Sequence, residues 1–521
     1  MSIGKRHFVC ALDDILDCAG VCALVDGEQV ALFRVGEEVF ALENLDPFSG
    51  ANVLARGLVG DLAGQLVVSS PVYKQHYNLR SGRCLEDESV TLRTWPCGVL
   101  DGRVWVESAS QAATTARGKR RLVVVGNGMA AMRTVEELLQ LAGDEYQITV
   151  FGAEPRGNYN RILLSPLLAG ETSREQIMLH SLEWYREKCI TLHTGDPVVG
   201  IDRRNRRVIS AAGVVAGYDR LLLATGSDPV RLKVSGHDLA GVFYFRSIDD
   251  VDGMLAQAEQ AKKAVVIGGG LLGLEAASGL AKHGLKVTVV HIRDRVMDKQ
   301  LDEEAADLLR QAMEARGIAF CMGARTSAFE GEGHVQQLRM EDGRVLAADL
   351  VVVAAGITPR TELARSCGLN CDRGILVDDT LQTYDPAVYA VGECVQHRGT
   401  TYGLVAPLWE QARVCAAHLA EKGVTRYRGS KPSSQLKVSG IDVFSAGDIA
   451  DLKGAESIRY ADRAAGIYKR LWVKDNRVLA AVLYGDTSAA AQLADLIETQ
   501  RDVSGQREAL LLGDMAGGAA A

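Results

Sequence analysis

Several features are missing from this chain of 521 residues, and each absence excludes a class of protein. Its 11 cysteines form no CxxC pair, which argues against a disulfide scaffold and favours reduced thiols. No run of about 18 apolar residues occurs, so no membrane span is predicted. The first residues lack a long apolar core and a small-residue cleavage site, so no signal peptide is predicted. A net charge of −8 argues against a general nucleic-acid binder. Together these absences predict a cytoplasmic protein.

Two cysteine pairs, Cys18 with Cys22 and Cys367 with Cys371, are spaced four residues apart. A metal site would need a second matching pair, so plain burial is the simpler interpretation and no metal ligand is predicted. The length and an ordinary composition, 47% hydrophobic and 24% charged, indicate a globular protein of several domains.

The strongest signal lies between Arg121 and Glu154. This segment reads as a buried strand, a tight glycine turn, a helix and a second strand that ends at an acidic residue. Gly126 and Gly128 stand where the backbone must turn and approach a ligand, and Ala131 stands where the helix packs closely on the strand. The helix N-terminus would face a pyrophosphate, and the terminal glutamate would accept hydrogen bonds from a ribose. The pattern therefore predicts a dinucleotide site, in preference to an ordinary glycine-rich turn.

A second unit of the same kind begins at Ala264. Here Gly268, Gly270 and Gly273 form a full GxGxxG between an apolar strand and a helix. Two such units in one chain are far more specific than either alone. The second unit departs from the NAD fingerprint at His291, where an acidic ribose ligand is usual.

The basic residues that follow this histidine leave the choice between NADH and NADPH open. Arg293 and Arg295 follow the second strand of the unit, and two nearby arginines could receive the 2′-phosphate of NADPH.

The first 107 residues are β-rich, with alternating apolar residues and Asp-Gly turns that predict successive hairpins. This region resembles a Rieske-type ferredoxin domain, most closely that of the small subunit of NADH-dependent nitrite reductase. A Rieske cluster needs two cysteines and two histidines. The resemblance therefore implies a retained fold without an iron–sulfur cluster, serving as a structural or docking module. The four ligand positions are occupied here by Asp46, Phe48, Ser70 and Tyr73.

The remainder resembles two-dinucleotide-binding flavoproteins of the pyridine nucleotide-disulfide oxidoreductase-like family. In ferredoxin- and rubredoxin-reductase-like members, a similar YxRxxLS segment lies along the flavin; a capped surface loop is the alternative. A strand ending in ATG closes the FAD site, and an acidic residue of a later glycine turn binds the ribityl chain. The helix in YGLVAPLWEQARVCAAHLA looks like the one under the isoalloxazine, although an ordinary core helix is an equal alternative. By this resemblance the further FAD contacts are Arg161, Ser165, Thr225, Gly226, Gly392 and Glu393.

The same resemblance bears on the chemistry. Oxygen-reducing relatives carry a redox cysteine where this chain has Ser165, so thiol catalysis is not expected and no catalytic side chain is named. Glu275 resembles the family glutamate near the nicotinamide; a carboxylate favoured by the helix dipole is an equal alternative. The strand VTVVH is very similar in NADH nitrite reductase, which favours NADH over NADPH.

The expected fold is therefore multidomain: an N-terminal all-β Rieske-like domain, then an α/β two-dinucleotide-binding flavoprotein with a small C-terminal α+β domain. The likeness to the nitrite reductase large subunit continues through that last domain and stops before the metal-centre modules. The expected divisions are 1–107 for the Rieske-like domain, 108–120 for a linker, 121–250 with 349–425 for the FAD-binding domain, 251–348 for the NAD(P)H-binding domain and 426–521 for a C-terminal interface domain.

These observations predict an NADH-dependent FAD oxidoreductase that serves as the electron-transfer component of assimilatory nitrite reduction. Its expected partner is a sirohaem and iron–sulfur nitrite reductase subunit or a small iron–sulfur carrier. Three alternatives stay open: a ferredoxin or rubredoxin reductase, the reductase subunit of assimilatory nitrate reductase, and a non-enzymatic flavoprotein scaffold or redox sensor. The oligomeric state is also open, with a homodimer as one option.

Overall fold

The computed structural model of the chain divides into two compact units, Met1–Gly118 and Lys119–Ala521. The predicted linker at 108–120 lies mostly outside the described residues. The structure describes residues 5–62, 64–87, 89–108, 119–423, 425–430, 433–438 (backbone), 440–450, 452–505, 507 and 509–512.

The first unit is built from short antiparallel strands. Its sheets have the orders β10-β4-β3-β2, β1-β12-β11 and β7-β8-β9, with a small β5-β6 pair. The strands are β1 (Arg6–Ala11), β2 (Ala19–Val25), β3 (Glu28–Val35), β4 (Glu38–Glu43), β5 (Leu45–Asp46), β6 (Ala51–Asn52), β7 (Leu58–Leu62), β8 (Gln65–Ser69), β9 (His76–Asn78), β10 (Thr94–Trp95), β11 (Cys97–Leu100) and β12 (Arg103–Glu107).

The central strand β3 explains why this unit has two apolar cores. Successive side chains of a strand point to opposite faces. Ala31 and Phe33 accordingly belong to one buried cluster, whereas Val30 and Leu32 belong to the other. The β10-β4-β3-β2 sheet is therefore covered on both faces, as a near-continuous apolar strand requires.

The second unit opens with a parallel sheet of order β15-β14-β13-β19-β31. Its central strand β13 is buried from Leu122 to Val125, which suits a strand covered by helices on both faces. The elements up to residue 229 are β13 (Arg120–Val125), α1 (Met129–Ala142), β14 (Tyr146–Gly152), α2 (Leu164–Leu168), α3 (Arg174–Ile177), α4 (Leu182–Glu187), β15 (Thr191–Thr194), β16 (Val198–Asp202), β17 (Arg207–Ser210), β18 (Val215–Gly217), β19 (Arg220–Leu223) and β20 (Ser227–Pro229).

A second parallel sheet has the order β21-β28-β22-β23-β24 and repeats this architecture around β22. The elements of this part are β21 (Val242–Tyr244), α5 (Ile248–Ala258), β22 (Lys263–Ile267), α6 (Leu271–Lys282), β23 (Lys286–Val290), α7 (Glu303–Glu314), β24 (Ala319–Cys321), β25 (Thr326–Glu330), β26 (Gln337–Met340), β27 (Val345–Ala347) and β28 (Leu350–Val353).

The two crossings between these sheets differ from the expected divisions. Those divisions place residues up to 250, and again from 349, in the FAD-binding domain of the first sheet. Both β21 and β28 instead pair within the second sheet, in parallel register with each other. The chain therefore enters the second sheet before residue 242 and leaves it after residue 353. Short apolar runs carry no information about which sheet they join, because that is decided by long-range pairing.

The chain then returns to the first sheet and ends in an antiparallel sheet of order β34-β35-β38-β37-β36. Tyr468 and Arg470 of this sheet contact Asp302, the N-cap of α7, through side-chain bonds of 2.5 and 3.0 Å. The last elements are β29 (Ile357–Pro359), α8 (Glu362–Ser366), β30 (Ile375–Val377), β31 (Val388–Ala390), β32 (Val395–His397), β33 (Thr400–Thr401), α9 (Val405–Leu419), β34 (Ser433–Val438), β35 (Ile441–Ala446), β36 (Glu456–Asp462), β37 (Ile467–Lys474), β38 (Arg477–Tyr484), α10 (Ala490–Thr499) and α11 (Ala509–Leu512).

Candidate dinucleotide sites

The first glycine loop joins β13 to the N-terminus of α1. Gly126 has a φ of +114°, and a β-carbon there would lie 2.2 Å from the carbonyl oxygen of Ala224. At Gly128, a β-carbon would meet no protein atom within 4 Å. One glycine is thus required by the backbone, whereas the other keeps open the space in front of the helix N-terminus, where a pyrophosphate binds. Ala131 is fully buried in the helix-to-sheet contact.

This loop forms the floor of a cavity of about 730 Å³. The volume lies in the range of ligand and cofactor sites. The cavity brings together nine of the residues that the sequence analysis proposed for FAD. They are Gly126, Gly128, Ala131, Glu154, Arg161, Thr225, Gly226, Gly392 and Glu393.

One wall of the cavity carries the acidic residue after β14. Glu154 accepts hydrogen bonds from the hydroxyl of Tyr159 at 2.8 Å and from Nη2 of Arg161 at 2.5 Å. Arg161 also donates through Nη1 to the carbonyl oxygen of Arg246 at 2.7 Å. The YxRxxLS segment therefore fixes the orientation of the carboxylate that was predicted to meet the ribose.

Another part of the cavity wall is the glycine turn after β31. Gly392 has a φ of +93° and donates its N–H to Oε1 of Gln411, a fully buried side chain of α9. Glu393 accepts a hydrogen bond from Ser227 at 2.8 Å and forms an ion pair with Arg246. The glutamate is thus held at a fixed position in the cavity wall.

Sequence reasoning missed Arg246 and Gln411, both of which position the turn that carries Glu393. Their partners lie 147 and 19 residues away in the chain. No local motif marks either residue. Arg246 immediately precedes the N-cap of α5, which is a helix-start pattern and carries no information about a flavin.

The second glycine loop repeats the design of the first. Gly268 has a φ of +123°, and a β-carbon there would lie 2.3 Å from the carbonyl oxygen of Ala354. A β-carbon at Gly273 would lie 1.9 Å from the carbonyl oxygen of Gly268, so the helix can approach the strand only with glycine at this position. At Gly270, by contrast, the position of a β-carbon is open within 4 Å. The loop therefore has the geometry that nucleotide binding requires.

His291 follows β23, at the position where the fingerprint usually has an acid. Its ring is buried, and Nδ1 accepts the backbone N–H of Gly269 at 3.0 Å. Nε2 lies 3.4 Å from a carboxylate oxygen of Asp298. Arg293 is exposed nearby, whereas Arg295 donates to the carbonyl oxygen of Asp298 at 3.3 Å.

Ser165 and Glu275 contact each other directly. The hydroxyl of Ser165, on α2, donates to Oε2 of Glu275, on α6, at 2.6 Å. Burial raises the pKa of the Glu275 carboxyl, and the hydrogen bond from Ser165 opposes that shift. Neither residue lines the 730 Å³ cavity. The contact joins α2, the helix that ends the YxRxxLS segment, to α6, the helix of the second glycine motif, so the two dinucleotide units meet here.

The N-terminal unit has none of the donor atoms that a Rieske cluster needs at its four ligand positions. Asp46 is fully buried and accepts hydrogen bonds from Ser70 at 2.7 Å, from Ser49 at 2.8 Å and from the hydroxyl of Tyr77 at 3.1 Å. Two of the four ligand positions are thus joined directly to each other. The residues do not fit the cluster, because ligation requires thiolate and imidazole.

Comparison with known proteins agrees with this geometry. The sequence profile named pyridine nucleotide-disulphide oxidoreductase matches residues 120–418. The chain belongs to this family. Two further profiles match this flavoprotein: a Rieske-like (2Fe-2S) domain at residues 7–107 and the rubredoxin NAD⁺ reductase C-terminal domain at residues 432–501.

Individual relatives are similar over about three quarters of the flavoprotein. NAD(P)H nitrite reductase of Bacillus subtilis (strain 168) is 48% identical, covering 74% of this chain and 48% of that protein. The assimilatory nitrate reductase electron transfer subunit of the same organism is 45% identical, covering 74% of this chain and 50% of that protein. The chain thus spans about half the length of these curated relatives.

A solved structure gives the fold. The covalent complex of putidaredoxin reductase with putidaredoxin matches with a TM-score of 0.69 at 28% identity, over 77% of this chain and 97% of that chain. The predicted family, fold class, enzyme class and cofactors are confirmed: this is an FAD-dependent NAD(P)H oxidoreductase with an N-terminal Rieske-like domain. The individual contacts of the site residues with FAD and NADH stay predictions.

In the part of the chain that the structure describes, no group of three or more His, Cys, Asp and Glu side chains is placed to hold a metal ion. No described helix is both long and apolar enough to cross a membrane. All 11 cysteines of the sequence are free thiols.

Proposed function

We propose that this chain takes electrons from NADH and passes them through FAD to a separate nitrite-reducing protein that contains sirohaem and an iron–sulfur centre. The uptake of electrons from NADH is supported by one observation, the Ser165–Glu275 hydrogen bond. This bond holds α2, the helix that ends the YxRxxLS segment, against α6, the helix of the second glycine motif. Two dinucleotide units in direct contact suit transfer between their nucleotides. When bound, FAD supplies the change from two-electron hydride chemistry to the release of single electrons.

The protein's own residues would hold the nucleotides in place for this exchange. Gly128 and Gly270 would leave room for the phosphates in front of α1 and α6, whose N-termini favour anions. Glu154 would accept hydrogen bonds from the FAD ribose, and Glu393 would contact the ribityl chain. Val405 and Leu408 of α9 line the same cavity and would cover the flavin ring with apolar surface.

Support for the nitrite-reducing acceptor comes from the relatives. One is named an NAD(P)H nitrite reductase, and another is named an electron transfer subunit. The hydrogen-bonded Asp46 and Ser70 suit a docking or structural module at the N-terminus, since that module brings no cluster ligands of its own.

The test begins with the complete purified chain under anaerobic conditions. NADH should bleach the flavin absorbance, and about one FAD per chain should be present. The chain should reduce ferricyanide with NADH and leave nitrite untouched. Nitrite consumption should begin when a separately purified sirohaem-containing reductase subunit is added. A matched control is Gly128→Val, which should fold but retain no FAD. Ferricyanide reduction and nitrite consumption with the added subunit should then disappear together.

Each outcome distinguishes one alternative. Nitrite consumption by the lone chain would contradict the division of labour. Bleaching and dye reduction that transfer to no sirohaem subunit, but do transfer to rubredoxin or ferredoxin, would favour a general reductase. Failure to turn over NADH with any acceptor would favour a non-enzymatic scaffold or sensor.

A second candidate acceptor is the catalytic subunit of an assimilatory nitrate reductase. The relative named as the electron transfer subunit of that enzyme is 45% identical, close to the 48% of the nitrite reductase. Adding each catalytic subunit separately to the reduced flavoprotein, and measuring the rate of flavin reoxidation, separates the two.

We also propose a cytoplasmic location, because all 11 cysteines are free, which suits a reducing compartment. The mass of the purified protein in solution decides its oligomeric state, for which a homodimer remains one option.

A further inference from the structure

His291 has two buried ring nitrogens, of which Nδ1 has a hydrogen-bond partner and Nε2 has none among the described residues. Nδ1 accepts the N–H of Gly269, the middle residue of the second glycine loop, at 3.0 Å. Nε2 faces Asp298 at 3.4 Å and has no accessible surface. A ring nitrogen that accepts a hydrogen bond carries no proton, so Nδ1 is bare and the proton of the neutral ring lies on Nε2. Neither nitrogen is available to a ribose.

The backbone holds the ring in this place from both sides. The N–H of His291 donates to the carbonyl oxygen of Cys321, and its carbonyl oxygen accepts from Ala324. The carbonyl oxygen of Gly269 in turn accepts the N–H of Met297 at 2.8 Å. A β-carbon at Gly269 would lie 2.8 Å from the imidazole, so the loop and the ring are in close contact. The contact between ring and loop is therefore a packed, hydrogen-bonded one.

We propose that His291 is a positioning residue for nicotinamide nucleotide binding: the neutral imidazole holds the second glycine loop in its binding shape by accepting the N–H of Gly269. Without this acceptor the N–H of Gly269 loses its partner, the loop shifts, and the affinity for the nucleotide falls. Because the ring acts on the loop and not on the ribose, NADH and NADPH should be affected equally. This inference rests on nucleotide binding at the second loop.

From the segment after β23, Asp298 faces Nε2 and favours the tautomer that leaves Nδ1 bare. The neighbouring strand β24 contributes Cys321, whose thiol contacts the guanidinium of Arg344 at 3.1 Å. The glycine loop itself, from Gly268 to Leu271, carries no ionisable side chain. The charged residues on the histidine's own segment are Arg293, Asp294 and Arg295.

The experiment measures KM for NADH and for NADPH with the holoenzyme and saturating ferricyanide at one fixed pH. In His291→Gln the side-chain oxygen can accept the same N–H, so KM for both nucleotides should stay close to the wild-type value. In His291→Leu the acceptor is lost, so KM for both nucleotides should be about five- to tenfold higher, with kcat nearly unchanged.

A His291→Gln variant with a KM as high as that of His291→Leu would overturn the proposal, because the lost acceptor would then not explain the lost affinity. A His291→Leu variant that changes KM for NADH and NADPH in opposite senses would also overturn it, since that result indicates contact with the 2′-position. Flavin bleaching by excess NADH in every variant shows separately that the enzyme itself is intact, and a failure to bleach in the wild type would instead contradict the proposed function.

Discussion

Asp46 offers the sharpest test of how the N-terminal unit is stabilised without a cluster. Its carboxylate is the common acceptor for Ser49, Ser70 and Tyr77, and it also accepts the backbone N–H of Phe48. Burial raises the pKa of the Tyr77 phenol far above its ordinary value, with the Asp46 charge adding to the shift. The phenol therefore stays protonated and donates throughout the usual assay range. One carboxylate thus links the two loops that carry the ligand positions.

The loss of stability in Asp46→Ala follows from the buried donors that lose their acceptor. Ser70 and Tyr77 are fully buried, so each would lose its acceptor with no water to replace it. An unsatisfied buried donor costs about 1–3 kcal/mol, which gives about 2–6 kcal/mol for the two. Domains are stable by only about 5–15 kcal/mol, so this loss is a large fraction of the unit's stability and should make its local opening more frequent. Asp46→Asn, which keeps the shape and one acceptor, should cost less.

The assay is hydrogen exchange measured by mass spectrometry on peptides from residues 7–107 of the full chain. Exchange should accelerate there in Asp46→Ala, while NADH-dependent ferricyanide reduction and FAD content stay at the wild-type level. Glu37→Ala is the matched control, because it removes an exposed carboxylate from the same unit and should change stability by less than about 0.5 kcal/mol. Equal exchange rates in the two variants would refute the reasoning.

Three further predictions concern the flavoprotein unit. Gly128→Val should fold and lose FAD, since its side chain enters the cavity, whereas Gly126→Ala should disturb the loop itself, with a β-carbon 2.2 Å from the carbonyl oxygen of Ala224; flavin absorbance and circular dichroism distinguish the two. NADH should be preferred to NADPH by on the order of tenfold in kcat/KM, or about 1.4 kcal/mol, and a higher value for NADPH would assign phosphate binding to the arginines after β23. Ser165→Ala should raise the pKa of Glu275 further, because burial already raises it and the opposing hydrogen bond is lost. The titration of the Glu275 carboxyl, followed by NMR, should then move to higher pH, and Ser165→Thr should restore it.

The glycine loops could be predicted from sequence because their constraint is local. At Gly126 and at Gly268, the chain leaves a buried strand with a positive φ, and a β-carbon would strike the carbonyl oxygen of a neighbouring strand end. Only glycine satisfies that geometry, so the motif itself carries the structural information. The buried strands of the parallel sheets could be predicted for a similar reason, because strands covered on both faces are apolar runs.

What the sequence could not provide were pairings decided at long range. The strand Val242–Tyr244 looks no different from a strand of the first sheet, yet it pairs with Leu350–Val353 in the second. The position of His291 after its strand was evident, but the direction of its ring was not. The fingerprint has an acid at this position because its carboxylate faces the ribose. No neighbouring residue indicates that the imidazole instead bonds to the glycine loop.

Arg161 connects two acidic residues of the cavity wall that lie far apart in the sequence. Of these, Glu154 is bonded to Arg161, and Glu393 is paired with Arg246. Arg161 also donates to the backbone carbonyl oxygen of Arg246, so its guanidinium connects Glu154 to the residue whose side chain pairs with Glu393. A substitution such as Arg161→Leu would leave Glu154 without its cationic partner and remove a tie to the segment that carries Arg246. Because a partly buried carboxylate is costly without its partner, such a change should weaken FAD binding through both acids at once, more than the loss of one hydrogen bond to the cofactor would.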